Sequence, residues 1–133
     1  MDDNDEDFEE TLAIGDRLAR ELCQGLPRAT DLLREHEDDH DEILATLFLN
    51  RVGDWFTDAW LTRDTDPDNF GEVQQLVARI ATRYPEASDT EQTMIVTGFV
   101  EALPNPTEKG RGVVAELPNP LQEERERMDS PRS

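Results

Sequence analysis

Positive charge is scarce in this chain, and cysteine scarcer still. Only 13 Lys and Arg stand against 32 Asp and Glu, which sets the formal net charge at -19. Nucleic acids and anionic lipids are held through basic patches, so direct nucleic-acid binding and membrane binding are not expected, and the preferred partners are basic proteins or cations. Cys23 is the only cysteine, which excludes an intrachain disulfide and a thiolate metal cluster. No apolar run approaches the roughly 20 residues of a membrane helix. The opening MDDNDEDFEE is acidic where a secretory leader is basic and then apolar. A cytoplasmic location is the expectation. Absent too are G-x-x-x-x-G-K-[ST], G-x-G-x-x-G and G-x-S-x-G, and with them the usual signatures of nucleotide sites and serine hydrolases. Period-2 alternation is missing over any useful length, which argues against a sheet.

What is present is helical periodicity. Residues 1–7 form an acidic block with no base to offset it and are expected to be a disordered tail. From Phe8, a stripe through Leu12, Gly15, Leu18, Ala19, Leu22 and Leu26 predicts a helix closed by Gly25-Leu26-Pro27. A second stripe runs through Ala29, Leu33, His36, His40, Ile43, Leu44 and Leu47 if the helix continues unbroken. About residues 43–62, Leu44, Phe48, Val52, Trp55, Phe56, Ala59 and Trp60 make the most apolar helix and the expected centre of the core, with Asp54 and Asp58 on its solvated side. Asp66-Pro67 reads as a cap and first helical residue ahead of Phe70, Val73, Val77, Ile80 and Tyr84. Pro85 stops that helix. Ser88 to Glu91, SDTE, is a capping box opening a helix with Ile95, Val96, Phe99, Val100 and Leu103 inside. LPNP occurs at Leu103 to Pro106 and again at Leu117 to Pro120. Read as helix punctuation, it predicts a short helix over about 107–117 and a last one over about 120–128. The expected architecture is all-α: six to seven helices in antiparallel hairpins, forming a single helical domain over 8–128 with a disordered tail at 129–133.

One segment carries a chemical signature. HEDDH, His36 to His40, matches H-E-x-x-H, in which two histidines one turn apart hold zinc and the glutamate activates water. A catalytic zinc needs a third protein ligand, and these are the only two histidines; Asp54, Asp58 and Asp64 are downstream candidates with nothing fixing them near the site. In an acidic tract, any histidine tends to be followed by Asp or Glu. The expectation is therefore no catalytic residues, no metal and no cofactor, with His36 and His40 as half-buried side chains on the inward stripe whose carboxylate neighbours favour the protonated form. A zinc-dependent hydrolase using His36, His40 and Glu37 stays open as an alternative.

Glu35, Glu37, Asp38, Asp39, Asp41 and Glu42 crowd the same segment. Ranked carboxylates attract a basic partner over distance, which makes these six the candidate partner-binding residues. A solvated face, or adaptation to a salt-rich cytoplasm, accounts for the same charge. Trp55 and Trp60 are expected to pack in the core rather than anchor a partner, and Cys23 to be a small packing residue.

From EHEDDHDEILATLFLNRVGDWF through FVEALPNP, the chain resembles a family of small, acidic, helical bacterial proteins of uncharacterised function. The likeness spans about residues 10–128: an acidic turn, then I-L-x-x-L-F-L with a tryptophan, then an L-P-x-P helix boundary. In size and charge it is also similar to toxin-neutralising immunity proteins. That resemblance implies a non-enzymatic, acidic protein-binding module that masks or regulates a basic partner, in the manner of an immunity protein or antitoxin. A DNA-mimic inhibitor is a further alternative, and the oligomeric state is left open.

Overall fold

The computed structural model describes residues 3–129, with side chains from Phe8 onward, and contains no strand among the described residues. Six α-helices follow one another: α1 (Asp3–Cys23), α2 (Pro27–His40), α3 (Ala45–Leu61), α4 (Pro67–Arg83), α5 (Asp89–Met94) and α6 (Leu121–Asp129). Two 3-10 segments, Tyr84–Glu86 and Arg111–Glu116, and a π-helical run, Ile95–Val100, complete the path.

Local capping chemistry sets two of the starts. The Asp66 carboxylate accepts the Asn69 N–H at 3.2 Å, with Pro67 in the first turn of α4. At α5, the Ser88 hydroxyl accepts the Glu91 N–H at 3.2 Å while Glu91 accepts the Ser88 N–H at 3.1 Å, a reciprocal box that satisfies two otherwise orphaned donors. The start of α2 is different. Leu26 offers it no side-chain cap, and Glu72 of α4 instead accepts the N–H groups of Arg28 at 2.6 Å and Ala29 at 3.1 Å.

The core is built around α3, which packs on α4, α1, the π-helical run and the second 3-10 segment. Phe48, Val52 and Phe56 on its inner face are fully buried. The Phe56 ring lies 6.0 Å from that of Phe99 and 6.1 Å from that of Phe70, near the range in which aromatic pairs add to area burial. Glycine on both sides lets α3 and the π-helical run meet backbone to backbone. A Cβ on Gly98 would stand 2.6 Å from the Thr46 carbonyl oxygen, and one on Gly53 would stand 2.8 Å from the Ala102 Cβ. Within that run the ladder widens, the Glu101 N–H donating to the Val96 carbonyl at 3.0 Å.

Several boundaries depart from the sequence reading. α1 begins at Asp3, so the helix takes in most of the stretch expected to be a tail, consistent with acids opposing the dipole at a helix N-terminus. Phe8, expected on the inner stripe, is 60% exposed. The stripe from His36 to Leu47 does not lie on one unbroken helix, because Asp41 adopts a left-handed conformation (φ 60°) that ends α2. The break shifts the phase of α3 relative to α2, and Leu47 turns outward. No α-helix spans 107–117; a 3-10 segment, Arg111–Glu116, takes its place. In the LPNP repeats, the Asn105 side chain accepts from Arg125 at 3.4 Å, and Asn119 precedes a cis proline. Asp129, assigned to the C-terminal tail, belongs to α6 and pairs with Arg111 and Arg125. Residues 1–2 and 130–133 of the two expected tails lie outside the described residues.

Candidate functional site

The HEDDH segment forms the last turns of α2 and the corner leading to α3. His36 points into the core with 0% exposure. Its Nε2 accepts the Leu44 N–H at 3.0 Å, tying the corner back onto α2. Leu44 is the N-cap residue of α3 and has no side-chain cap of its own, so this one bond fixes where α3 departs. The ring sits 6.0 Å from that of Phe48 and 4.5 Å from that of His40. His40 itself is exposed rather than inward-facing, since α2 ends there.

This geometry decides the protonation state of His36. A backbone N–H can only donate, so Nε2 carries the lone pair and Nδ1 the proton, and Nδ1 is buried without a hydrogen-bond partner. Burial pushes the His36 pKa below its ordinary value, helped by His40 and Arg51; Asp39 is the one acidic neighbour pulling it up. The expected carboxylate-driven protonation is therefore reversed at His36. For zinc, the spacing of H-E-x-x-H is present but the ligand set is not. The one His36 lone pair is directed at Leu44, and among the described residues no three His, Cys, Asp or Glu side chains converge to hold an ion. Asp54, Asp58 and Asp64 supply no third ligand.

The six acidic candidates divide into two groups. Glu35 lies 3.7 Å from Arg51, and Glu37 accepts from Arg20 at 2.9 Å, an arginine also held by Asp16 at 2.7 Å. Asp38, Asp39, Asp41 and Glu42 are exposed, and none has an ion pair among the described residues. Acids outnumber bases 32 to 13 in the chain, and some of the scarce arginines also serve backbone carbonyls. Arg79 of α4 donates to the carbonyls of Leu22 at 2.8 Å and Gln24 at 2.5 Å, closing the C-terminus of α1. Arg63 donates to the Trp60 carbonyl at 2.6 Å and stacks over the Trp60 ring at 4.3 Å. Arg125, 2% exposed, donates to the carbonyls of Val100 and Leu103 at 2.8 Å and Pro104 at 2.9 Å. Each such arginine donates to carbonyls near a helix end.

Neither Arg125 nor Glu72 stood out in the sequence, because their partners are distant in the chain. The remaining candidates settle into packing. Trp55 donates to the Asn69 side chain at 2.9 Å, and Trp55 and Trp60 lie partly buried against the core. Cys23 is 2% exposed, and burial pushes its thiol up to about 12, with only a small opposing pull from Arg79. Such a thiol is inert at neutral pH.

Beside the acidic corner runs an apolar groove lined by Thr11, Leu12 and Gly15 of α1, the Ile43 to Leu47 stretch and Met94. Leu12 and Ile43 also line the adjoining cleft, where Asp16, Arg17, Arg20, Glu21 and Glu42 gather. Compared with known proteins, the chain matches no family model, no curated protein and no solved structure. The resemblance to a small acidic helical family, and the likeness to immunity proteins, rest on the residue pattern alone.

Proposed function

We propose that this protein is a non-enzymatic, acidic binding module that masks or regulates a basic partner protein, in the manner of an immunity protein or antitoxin, with the α2–α3 corner as its docking face. One observation carries the reading: Asp38, Asp39, Asp41 and Glu42 stand exposed on a single corner, and none has an ion pair among the described residues. Unpaired surface carboxylates raise association rates with a cationic partner, and no internal ion pair has to be exchanged when they meet it.

The test uses an oligo-arginine peptide as probe and the full chain. Affinity should fall roughly tenfold or more as salt rises from about 50 mM to about 500 mM, where screening shortens to a few ångströms. Neutralising the corner with Asp38→Asn, Asp39→Asn, Asp41→Asn and Glu42→Gln should weaken binding more than neutralising four exposed acids elsewhere, Asp64, Glu101, Glu116 and Glu123. Asn tolerates the left-handed backbone at position 41, so the fold is kept. Equal losses in the two variants, each with an intact circular dichroism spectrum, would remove the corner from the proposal.

A further inference from the structure

Charge alone does not describe the surface beside the corner. Among the described residues, Phe8 at 60% and Leu47 at 48% are the two most exposed large apolar side chains. Scattered apolar residues on a surface are ordinary, but one of these lines the groove and the other stands a turn away from a residue that does. Leu47 lines the groove between α1 and the start of α3, and Phe8 stands one turn before Leu12 on the same stripe of α1. The groove floor is closed where the helices meet, a Cβ on Gly15 falling 2.8 Å from the Ala45 Cβ and 3.4 Å from the Met94 Cε. Met94, 8% exposed, closes the floor from the core side.

The charges around the groove select what can enter it. Asp41 and Glu42 lie immediately before Ile43, and exposed Glu9 and Glu10 come directly after Phe8. On that side the bases are Arg17 and Arg20, and Arg20 is already held by Asp16 and Glu37. A second copy of this chain would bring another net charge of -19 and set the same acids against one another, so self-association is opposed. An apolar slot walled by two helices takes anchors at helical spacing, i, i+3, i+4 and i+7.

We infer that the groove lined by Leu12, Ile43, Leu47 and Met94, with Phe8 one turn beyond it on α1, receives the apolar face of a basic amphipathic helix from the partner, whose flanking Lys and Arg meet Asp41 and Glu42. The inference rests on the acidic-module reading and supplies what that reading lacks, a short-range apolar contact that salt does not screen.

Two fluorescent Leu/Lys peptides of identical composition separate the two ideas: one places leucine at i, i+3, i+4 and i+7, the other is scrambled. The amphipathic peptide should bind the full chain about tenfold more tightly than the scrambled one, a margin of roughly 1.4 kcal/mol. That margin should persist in high salt. Phe8→Ser with Leu47→Ser, both at exposed positions, should erase most of it while leaving the scrambled peptide unaffected; Met128→Ser, at an exposed apolar site outside the groove, should change neither. Equal affinity for the two peptides, or a margin that survives the double substitution, would overturn the groove as a docking site. If instead neither peptide weakens with salt, the acidic-module reading fails and the inference falls with it.

Discussion

The described residues hold two buried polar side chains, His36 at 0% and Arg125 at 2% exposure, and the molecule treats them in opposite ways. Arg125 uses every donor it has. Its Nε donates to Asp129 at 3.2 Å, Nη1 to Val100 and Leu103, and Nη2 to Pro104 and Asn105. Around Asp129, burial alone would raise the pKa, but the hydrogen bonds from Arg111 and Arg125 outweigh it and hold the carboxyl below its ordinary value. His36 makes one bond through Nε2 and leaves Nδ1 unpartnered. The first is a lock that no accessible pH can open, because guanidinium does not lose its proton. The second holds only while the imidazole is neutral.

The largest test of this contrast is Arg125→Met. It takes the guanidinium from three carbonyls, of which Val100 keeps the Leu103 N–H and Pro104 keeps Arg111, and removes a partner of Asp129, and should cost about 3–5 kcal/mol in urea unfolding at neutral pH. A loss under about 1 kcal/mol, the scale of a single ordinary hydrogen bond, would show that water replaces the guanidinium. His36→Leu should cost less, about 1–3 kcal/mol, since it leaves one backbone donor, the Leu44 N–H, without its acceptor.

A pH titration sharpens the difference further. The His36 pKa in the folded state lies below that of the unfolded chain, about 6.5. Below that pH the unfolded state takes up a proton the folded state resists, so unfolding is favoured as pH falls. The stability contributed by His36 is therefore full above about pH 6.5 and declines as pH drops through the depressed folded value. Comparing unfolding midpoints over that window, Arg125→Met should keep the slope that His36 contributes and His36→Leu should lack it. If His36→Leu shows the wild-type slope, another group is responsible. The smallest effect belongs to Arg127→Ala, whose 72%-exposed side chain pairs with Glu124 at 2.9 Å; surface pairs of this kind change stability by about 0–0.5 kcal/mol.

The same contrast explains what could be read from the chain. Features whose chemistry closes within a turn were legible: Asp66 with Pro67, Ser88 with Glu91, and the apolar stripe through Phe48, Val52 and Phe56. The end of α2 was not, because a 3.6-residue stripe passes through Asp41 without interruption and only the left-handed backbone there ends it. The candidate acids were visible as a cluster, yet which of them stay unpaired depends on Arg20 and Arg51, and those pairings need the tertiary fold. Arg125 was hidden for a related reason. Its run, ERERMD, reads as the charged end of the last helix with no apolar stripe to turn it inward, while its carbonyl partners lie 21 to 25 residues back in the chain.

Glu72 has a kinetic meaning as well. The first turn of α2 is capped by a carboxylate 43 and 44 residues downstream, so α2 cannot complete its own N-terminus before α4 has docked. An isolated peptide covering Pro27–His40 has no such acceptor, and short helices are marginal in water without tertiary support. Helix formation at the acidic corner is thus tied to assembly of the whole domain. The carboxylates of α2 take up their fixed arrangement only once the chain has folded, and a partner that reads that arrangement would distinguish the native protein from its unfolded chain.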